Sequence, residues 1–168
     1  HDGLMNSPGH RANLMSTLAT HLGVGVVFGE EISGRRELFV TQVFIRIPPK
    51  IDLAAGANSV AEKLRAVRAM NRDGALERSA QMLAEKLASG QTREQAWPSV
   101  KRDLEQLGNK YRRVGSVVTV VTELNSVDGA NLLGEYRPTD LGVGIAQGTH
   151  PELGASAIWI VLLMGETR

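Results

Sequence analysis

Leu22-Gly23-Val24-Gly25-Val26, near the start of the chain, is answered much later by Leu141-Gly142-Val143-Gly144-Ile145. Asn13-Leu14-Met15 precedes the first stretch and Asn131-Leu132-Leu133 precedes the second. The distance from Asn to Leu is nine residues in the first copy and ten in the second. In both stretches every second residue is aliphatic, which is the period of a strand rather than of a helix. Two matches of this order in one chain read as an internal repeat.

The sequence outside each stretch extends the pattern. Gly29 to Gly34 is a polar, glycine-bounded loop, and Glu37 to Ile45 is a second apolar run. The spacing predicts an antiparallel hairpin over 22–47, closed by Pro48-Pro49 because proline donates no ladder hydrogen bond. Leu141 to Ala146 and Ala157 to Leu163 predict a matching hairpin, joined through Pro151 and Gly154. Ser7-Pro8 reads as an N-cap and first residue of a helix running to about Leu18.

Between the hairpins the period changes. Val60, Leu64, Val67 and Met70 share one helical face in a helix expected to begin near Asn58. Leu76, Ala80, Leu83, Ala84 and Leu87 repeat the pattern until Gly90. A third helix is expected from Arg93 to Leu107, with Trp97-Pro98 marking a kink or a fresh start inside it. Val114 to Leu124 reads as a β-branched strand, and Asp128 to Leu133 as a short helix. The domains expected are therefore 1–50, the back half of a first module, a linker over 51–57, and a second module over 58–168.

Composition narrows the function. A net charge of +1 and few aromatic residues give no electrostatic or stacking footing for nucleic acid. No run of eighteen apolar residues exists, so no membrane span is expected. The absence of cysteine excludes disulfides, thiol catalysis and zinc ribbons. The chain opens on His1 without a signal peptide, which reads as a processed or truncated product.

Asn6-Ser7-Pro8-Gly9-His10-Arg11-Ala12-Asn13-Leu14-Met15, then Leu22 to Val26, then Phe39-Val40-Thr41-Gln42-Val43-Phe44, resembles the back half of a CAP domain. That superfamily holds cysteine-rich secretory proteins, antigen-5 allergens, plant pathogenesis-related proteins and bacterial SCP-like members. The bacterial pattern runs Trp-x-x-Ser-x-x-His-Arg-x-Asn-Leu, then Gly-Val-Gly, then Thr-Gln-x-Phe. Leu4 or a neighbour stands where the tryptophan usually does. Leu64 to Arg68 and Leu76 to Glu85 resemble the family's opening helices in more degenerate form.

The resemblance implies an α/β fold, a three-layer α/β/α sandwich around a mainly antiparallel sheet, in a secreted or cell-envelope protein. It implies a cleft in which two histidines and two acids hold a divalent metal, often zinc. His10 matches the second cleft histidine; its partners would come from an upstream segment or a second chain. In the second copy Asp128 stands where His10 is and Gly129 where Arg11 is. Glu123 alone offers a carboxylate where the family carries Gly-Glu-Asn. That second site reads as lost.

Residue chemistry sets limits on each candidate. A single histidine is not a zinc site, since zinc takes three or four ligands. His1, His21 and His150 read as solvated. Ser7 beside His10 is explained by helix capping, and no Gly-x-Ser-x-Gly elbow exists. Gly23-x-Gly25 and Gly142-x-Gly144 lack the third glycine and the following helix of a dinucleotide loop, so close backbone packing or a bulge is the expected role. Lys101, Arg102, Lys110, Arg112 and Arg113 alternate with Asp103 and Glu105 and read as a solvated face. The function expected is a binding or interaction module for a lipid, peptide or metal ligand, with no catalytic set and no cofactor beyond a divalent metal such as zinc. The alternative is a protease-like hydrolase. The exposed apolar run Phe39 to Ile45 is expected to be covered by an upstream segment or a second chain.

Overall fold

Gly142, Gly144 and Gly148 have no side chains because a helix backbone lies where their Cβ atoms would be. A Cβ on Gly142 would sit 2.2 Å from the Leu76 carbonyl carbon, on Gly144 2.2 Å from that of Ala80, and on Gly148 2.2 Å from the Ala88 oxygen. Those three contacts fix the helix Gly74–Ala88 against the strand Asp140–His150 and organise the larger part of the molecule.

The computed structural model describes residues 2–47 and 49–168, and of Asn109 the backbone alone. The chain divides into two compact units, 1–49 and 50–168. The fold is mixed α/β with mostly antiparallel sheets.

The first unit holds α1 (Asp2–Met5), α2 (Pro8–Leu14), β1 (His21–Ile32) and β2 (Arg35–Ile45). The strands form a two-stranded antiparallel sheet. The expected hairpin is present, but its loop is much shorter than Gly29 to Gly34. β1 continues to Ile32, and only Ser33 and Gly34 turn, at φ 54° and 75°. Positive φ at both central residues gives the hairpin turn whose twist matches the strands. The helix after Pro8 stops at Leu14 rather than Leu18; the Met15 N–H bonds the Arg11 carbonyl.

In the second unit α3 spans Leu53–Val67, α4 Gly74–Ala88, α5 Arg93–Gln106 and α6 Gly129–Leu133. α3 starts five residues earlier than Asn58, inside the stretch read as linker, because Asp52 Oδ1 accepts the Ala55 N–H at 3.0 Å and caps it there. α5 runs unbroken through Pro98. Its first turn is held by a reciprocal capping box between Thr92 and Gln95, which leaves Pro98 inside a helix already nucleated.

The sheet of this unit has the order β3 (Asn71–Arg72), β5 (Asp140–His150), β6 (Gly154–Thr167), β4 (Tyr111–Val121). β3 runs parallel to β5 and the other pairs are antiparallel. Strand alternation divides the core into two. Leu141, Val143, Ile145, Ile158, Ile160 and Leu162 join Val60, Ala61 and Leu64 of α3 and Leu133 of α6. Ala146, Val161 and Leu163 join Leu76, Ala80, Leu83 and Ala84 of α4 and Val100 of α5. On the α3 side, Lys63 Nζ donates to the carbonyls of Leu124, Asn125 and Val127, tying the connection after β4 to the helix.

β3 covers only two residues of β5, so most of that edge needs another partner. Gln81 on α4 supplies one. Its Oε1 accepts the Ile145 N–H at 3.0 Å and its Nε2 donates to the Ile145 carbonyl at 3.0 Å. One side-chain amide thus does a strand's work at the middle of β5.

Gly144→Ala is expected to destabilise the second unit by about 2–3 kcal/mol, because the added methyl meets helix backbone that cannot rotate away. Gly25→Ala is expected to be neutral or stabilising by up to ~1 kcal/mol, since a Cβ there meets nothing within 4 Å and the unfolded chain loses freedom. Urea unfolding of the two variants checks both; equal costs would contradict the packing described.

Candidate functional site

The first unit carries a groove of about 490 Å³ lined by Leu4, His10, Asn13, Val40, Thr41, Gln42 and Phe44. His10 and Asn13 reach it from α2. They lie one turn apart on the same helical face, at i and i+3. Val40, Gln42 and Phe44 reach it from one face of β2, on which alternate residues share a side. The lining joins three apolar side chains to three amide or imidazole side chains and contains no carboxylate.

His10 Nδ1 lies 2.9 Å from Ser7 Oγ. Ser7 does occupy the N-cap position, but its side chain makes no cap hydrogen bond. Capping therefore does not account for Ser7: the hydroxyl turns to the imidazole instead of to an orphan N–H. The two are three residues apart across the helix start, so one local turn brings them together without help from the rest of the fold. With Nδ1 engaged, Nε2 is the ring nitrogen left for another partner.

The other histidines divide. His1 lies outside the described residues. His21 opens β1, exposed, with Nδ1 2.9 Å from Thr20 Oγ1. His150 departs from the solvated reading. It ends β5, half-buried, with its ring 5.4 Å from that of Trp159, and its Nδ1 accepts the Glu152 N–H at 3.2 Å. The strand extends four residues beyond Ala146, which the sequence pattern placed at its end.

The residues aligned with a second site have structural employment. Asp128 caps α6, its Oδ1 accepting from the N–H groups of Ala130 and Asn131. Gly129 lets α6 approach α3: a Cβ there would lie 2.8 Å from the Lys63 carbonyl oxygen. Glu123 accepts the Ser126 N–H and hydroxyl through its backbone carbonyl. Among the described residues no group of three or more His, Cys, Asp or Glu is placed to hold a metal. His10 with Asn13 and Gln42 does not fit zinc, which takes three or four imidazole, thiolate or carboxylate ligands.

Lys110, read from the sequence as part of a solvated face, is exposed and also belongs to an ion cluster of the second unit. Its Nζ contacts Asp73 Oδ2 and lies 3.8 Å from Asp140 Oδ2. Asp73 also caps α4, its Oδ1 accepting from Ala75 and Leu76 N–H. Burial raises the Asp73 carboxyl, but the Lys110 ammonium and the Leu76 N–H outweigh it and hold the pKa at about 2. The Asp73 contact in turn raises that of Lys110. Burial pushes the adjacent Tyr111 phenol up to about 12. The signal available in sequence was the cap position of Asp73; its meeting with Lys110 and Asp140 is long-range. Lys101 pairs with Glu105 at 3.7 Å, the surface pairing expected of interleaved charge, whereas Arg112 pairs at 2.7 Å with Glu166, a long-range partner.

No helix among the described residues is long and apolar enough to cross a membrane. No family model matches the chain, and neither a curated protein nor a solved structure matches it.

The Asp73 shift has a definite sign. A carboxyl whose pKa is depressed in the folded state stabilises fully above its ordinary 3.8, and that contribution is lost as pH falls through about 2. Between those values the native chain should lose roughly 1–2 kcal/mol more than Asp73→Asn, which retains a capping oxygen but carries no charge. Urea titrations at successive pH values measure the difference; parallel curves would remove the ion cluster as a source of stability.

Proposed function

We propose that the chain is a CAP-like binding module of a secreted or cell-envelope protein, its ligand site being the groove between α2 and β2. The observation that carries this reading is the convergence of His10, Asn13 and Gln42 on a lining that also holds Leu4, Val40 and Phe44. Such a surface suits a small apolar ligand with a polar end, a lipid or an apolar peptide. The two core clusters on opposite sides of one mainly antiparallel sheet support reading the second unit as a three-layer α/β/α sandwich. The paired Leu-Gly-Val-Gly strands support reading the two hairpins as copies of one element. On this reading the second copy has exchanged its histidine for a helix cap, and only the first retains a ligand site. Zinc belongs to the reading only where an upstream segment or a second chain brings ligands to His10.

A protease-like hydrolase is the second reading, favoured by one observation, the 2.9 Å contact of His10 Nδ1 with Ser7 Oγ. A serine nucleophile needs its base oriented by a further group and a donor pair for the developing oxyanion. The groove lining offers Asn13 and Gln42 amides but no carboxylate to orient the imidazole.

Decanoate titrated into the full chain is expected to shift the His10 ring and the Asn13 and Gln42 side-chain amide signals saturably. Val40→Asp is expected to weaken that binding by about tenfold or more, a difference of roughly 1.4 kcal/mol. Unsaturable shifts scattered over both units would refute the groove. Hydrolysis of fluorescent casein that disappears in Ser7→Ala would move the assignment to the hydrolase.

A further inference from the structure

The face of β1 and β2 opposite Val24, Val26 and Val40 is apolar and open. Val27, Phe39 and Val43 are 65%, 57% and 53% exposed on it. The second hairpin carries the same face in the same register. Gly23 stands opposite Val43, Gly25 opposite Thr41 and Val27 opposite Phe39. Gly142 stands opposite Leu163, Gly144 opposite Val161 and Ala146 opposite Trp159. A third glycine extends the match beyond the paired sequence stretches: Gly29 and Gly148 each sit where the ladder register shifts.

In the second unit this face is the seat of α4, whose backbone fills the space above Gly142, Gly144 and Gly148. In the first unit the same seat is open at Gly23 and Gly25, while at Gly29 a Cβ would meet the Phe39 ring at 3.0 Å and the Glu37 Cβ at 3.3 Å. A Cβ on Gly25 would meet nothing within 4 Å, and one on Gly23 would meet only the Val43 oxygen, at 4.0 Å. The strand edge repeats as well. Val26 stands opposite Val40 as Ile145 stands opposite Ile160, and Gln81 of α4 bonds both backbone groups of Ile145. β1 has no strand on that edge in its two-stranded sheet.

We propose that this glycine face of the first unit docks an amphipathic helix of α4's chemistry, supplied by a partner segment. That helix presents Leu76-like bulk followed by alanines at four-residue intervals, as Ala80, Ala84 and Ala88 do, with a glutamine beside the central contact to bond Val26. Small residues beyond the first contact let the helix backbone reach the track, as Ala80 does at Gly144 and Ala88 at Gly148; a leucine at the central position holds the helix away and forfeits the dispersion contacts across the gap. The opposite face does not repeat α3's seat. Gly129, which admits the α3 backbone, is matched in the aligned position by Arg11, which is not a glycine. The proposal rests on reading the first unit as an interaction module but concerns the other face from the His10 groove, so decanoate binding and helix docking succeed or fail separately.

The probe is a peptide of residues 73–90 held helical by a staple between positions 78 and 85, both exposed on α4. It is titrated into the full, isotope-labelled chain. One peptide is expected to bind per chain, with saturable backbone shifts over 23–29 and 39–45. Gly25→Leu and the charged Gly25→Glu are each expected to weaken binding tenfold or more while leaving the unfolding midpoint of the second unit unchanged. A peptide with Ala80→Leu and Ala84→Leu should bind no better than those variants allow. Shifts confined to 140–165 would mean that the peptide merely displaces α4 and would overturn the proposal. Absence of saturable shifts, or binding indifferent to both Gly25 variants, would overturn it too. Self-association of the chain broken by Gly25→Glu, without peptide binding, would assign the face to a second copy and equally defeat it.

Discussion

The contact between the α4 backbone and the glycines of β5 is the constraint on which the second unit depends. A helix ordinarily rides on a sheet at the distance set by two layers of side chains. Here one layer is absent at Gly142, Gly144 and Gly148, where the helix brings the backbone of Leu76, Ala80 and Ala88 in turn, the last two with only a methyl group as side chain. The helix sinks far enough for Gln81 to reach the strand backbone and replace the neighbour that β3 is too short to provide. Close approach also brings Leu83 and Leu87 down beside the track, where they meet Val161, Leu163 and α5. The core on this side is thus a consequence of how near the two backbones lie.

The start of α4 is secured by a different force. Asp73 caps the helix with one oxygen and meets Lys110 with the other. The ammonium also lies near Asp140, at the start of β5. One lysine therefore ties the helix start to the strand on which the helix is seated, at the end of the glycine track nearest Gly142. This cluster has the perturbed pKa values that often mark active sites. Its geometry accounts for them without chemistry: each shift follows from a cap, an ion pair or burial within the fold.

The first unit presents the opposite situation. Its hairpin has the register, the glycines and the ladder irregularity of the second, yet its apolar residues stand open on both faces. An isolated two-stranded sheet is marginal in water. α2 serves one face in part, through His10 and Asn13 near Val40, Gln42 and Phe44. The unit thus has two chemically distinct surfaces, a face carrying Gly23 and Gly25 and a groove lined by His10, Asn13 and Gln42.

Strand and helix periods were legible in the sequence because alternation and 3.6-residue spacing are local properties. The two hairpins, the strand after Val114, the stop of α4 at Gly90 and the short helix near Asp128 to Leu133 all follow from short stretches. The glycine pairs were legible in part: close backbone packing, one of the two roles expected of both, is met at Gly142 and Gly144 but not at Gly23 and Gly25. The start of α3 at Asp52, the passage of α5 through Pro98 and the turn of Ser7 toward His10 were not legible, because each is settled by competition between neighbouring local preferences of similar strength. The Gln81 bridge to Ile145 and the meeting of Lys110 with Asp73 and Asp140 lie further out of reach. They join residues far apart in the chain, and nothing in a charge or an amide states which distant partner the backbone will bring to it. Sequence by itself therefore determined the elements and the glycine spacing; tertiary structure alone decided what lies against those glycines, since close approach is a relation between two backbones and no single stretch encodes both.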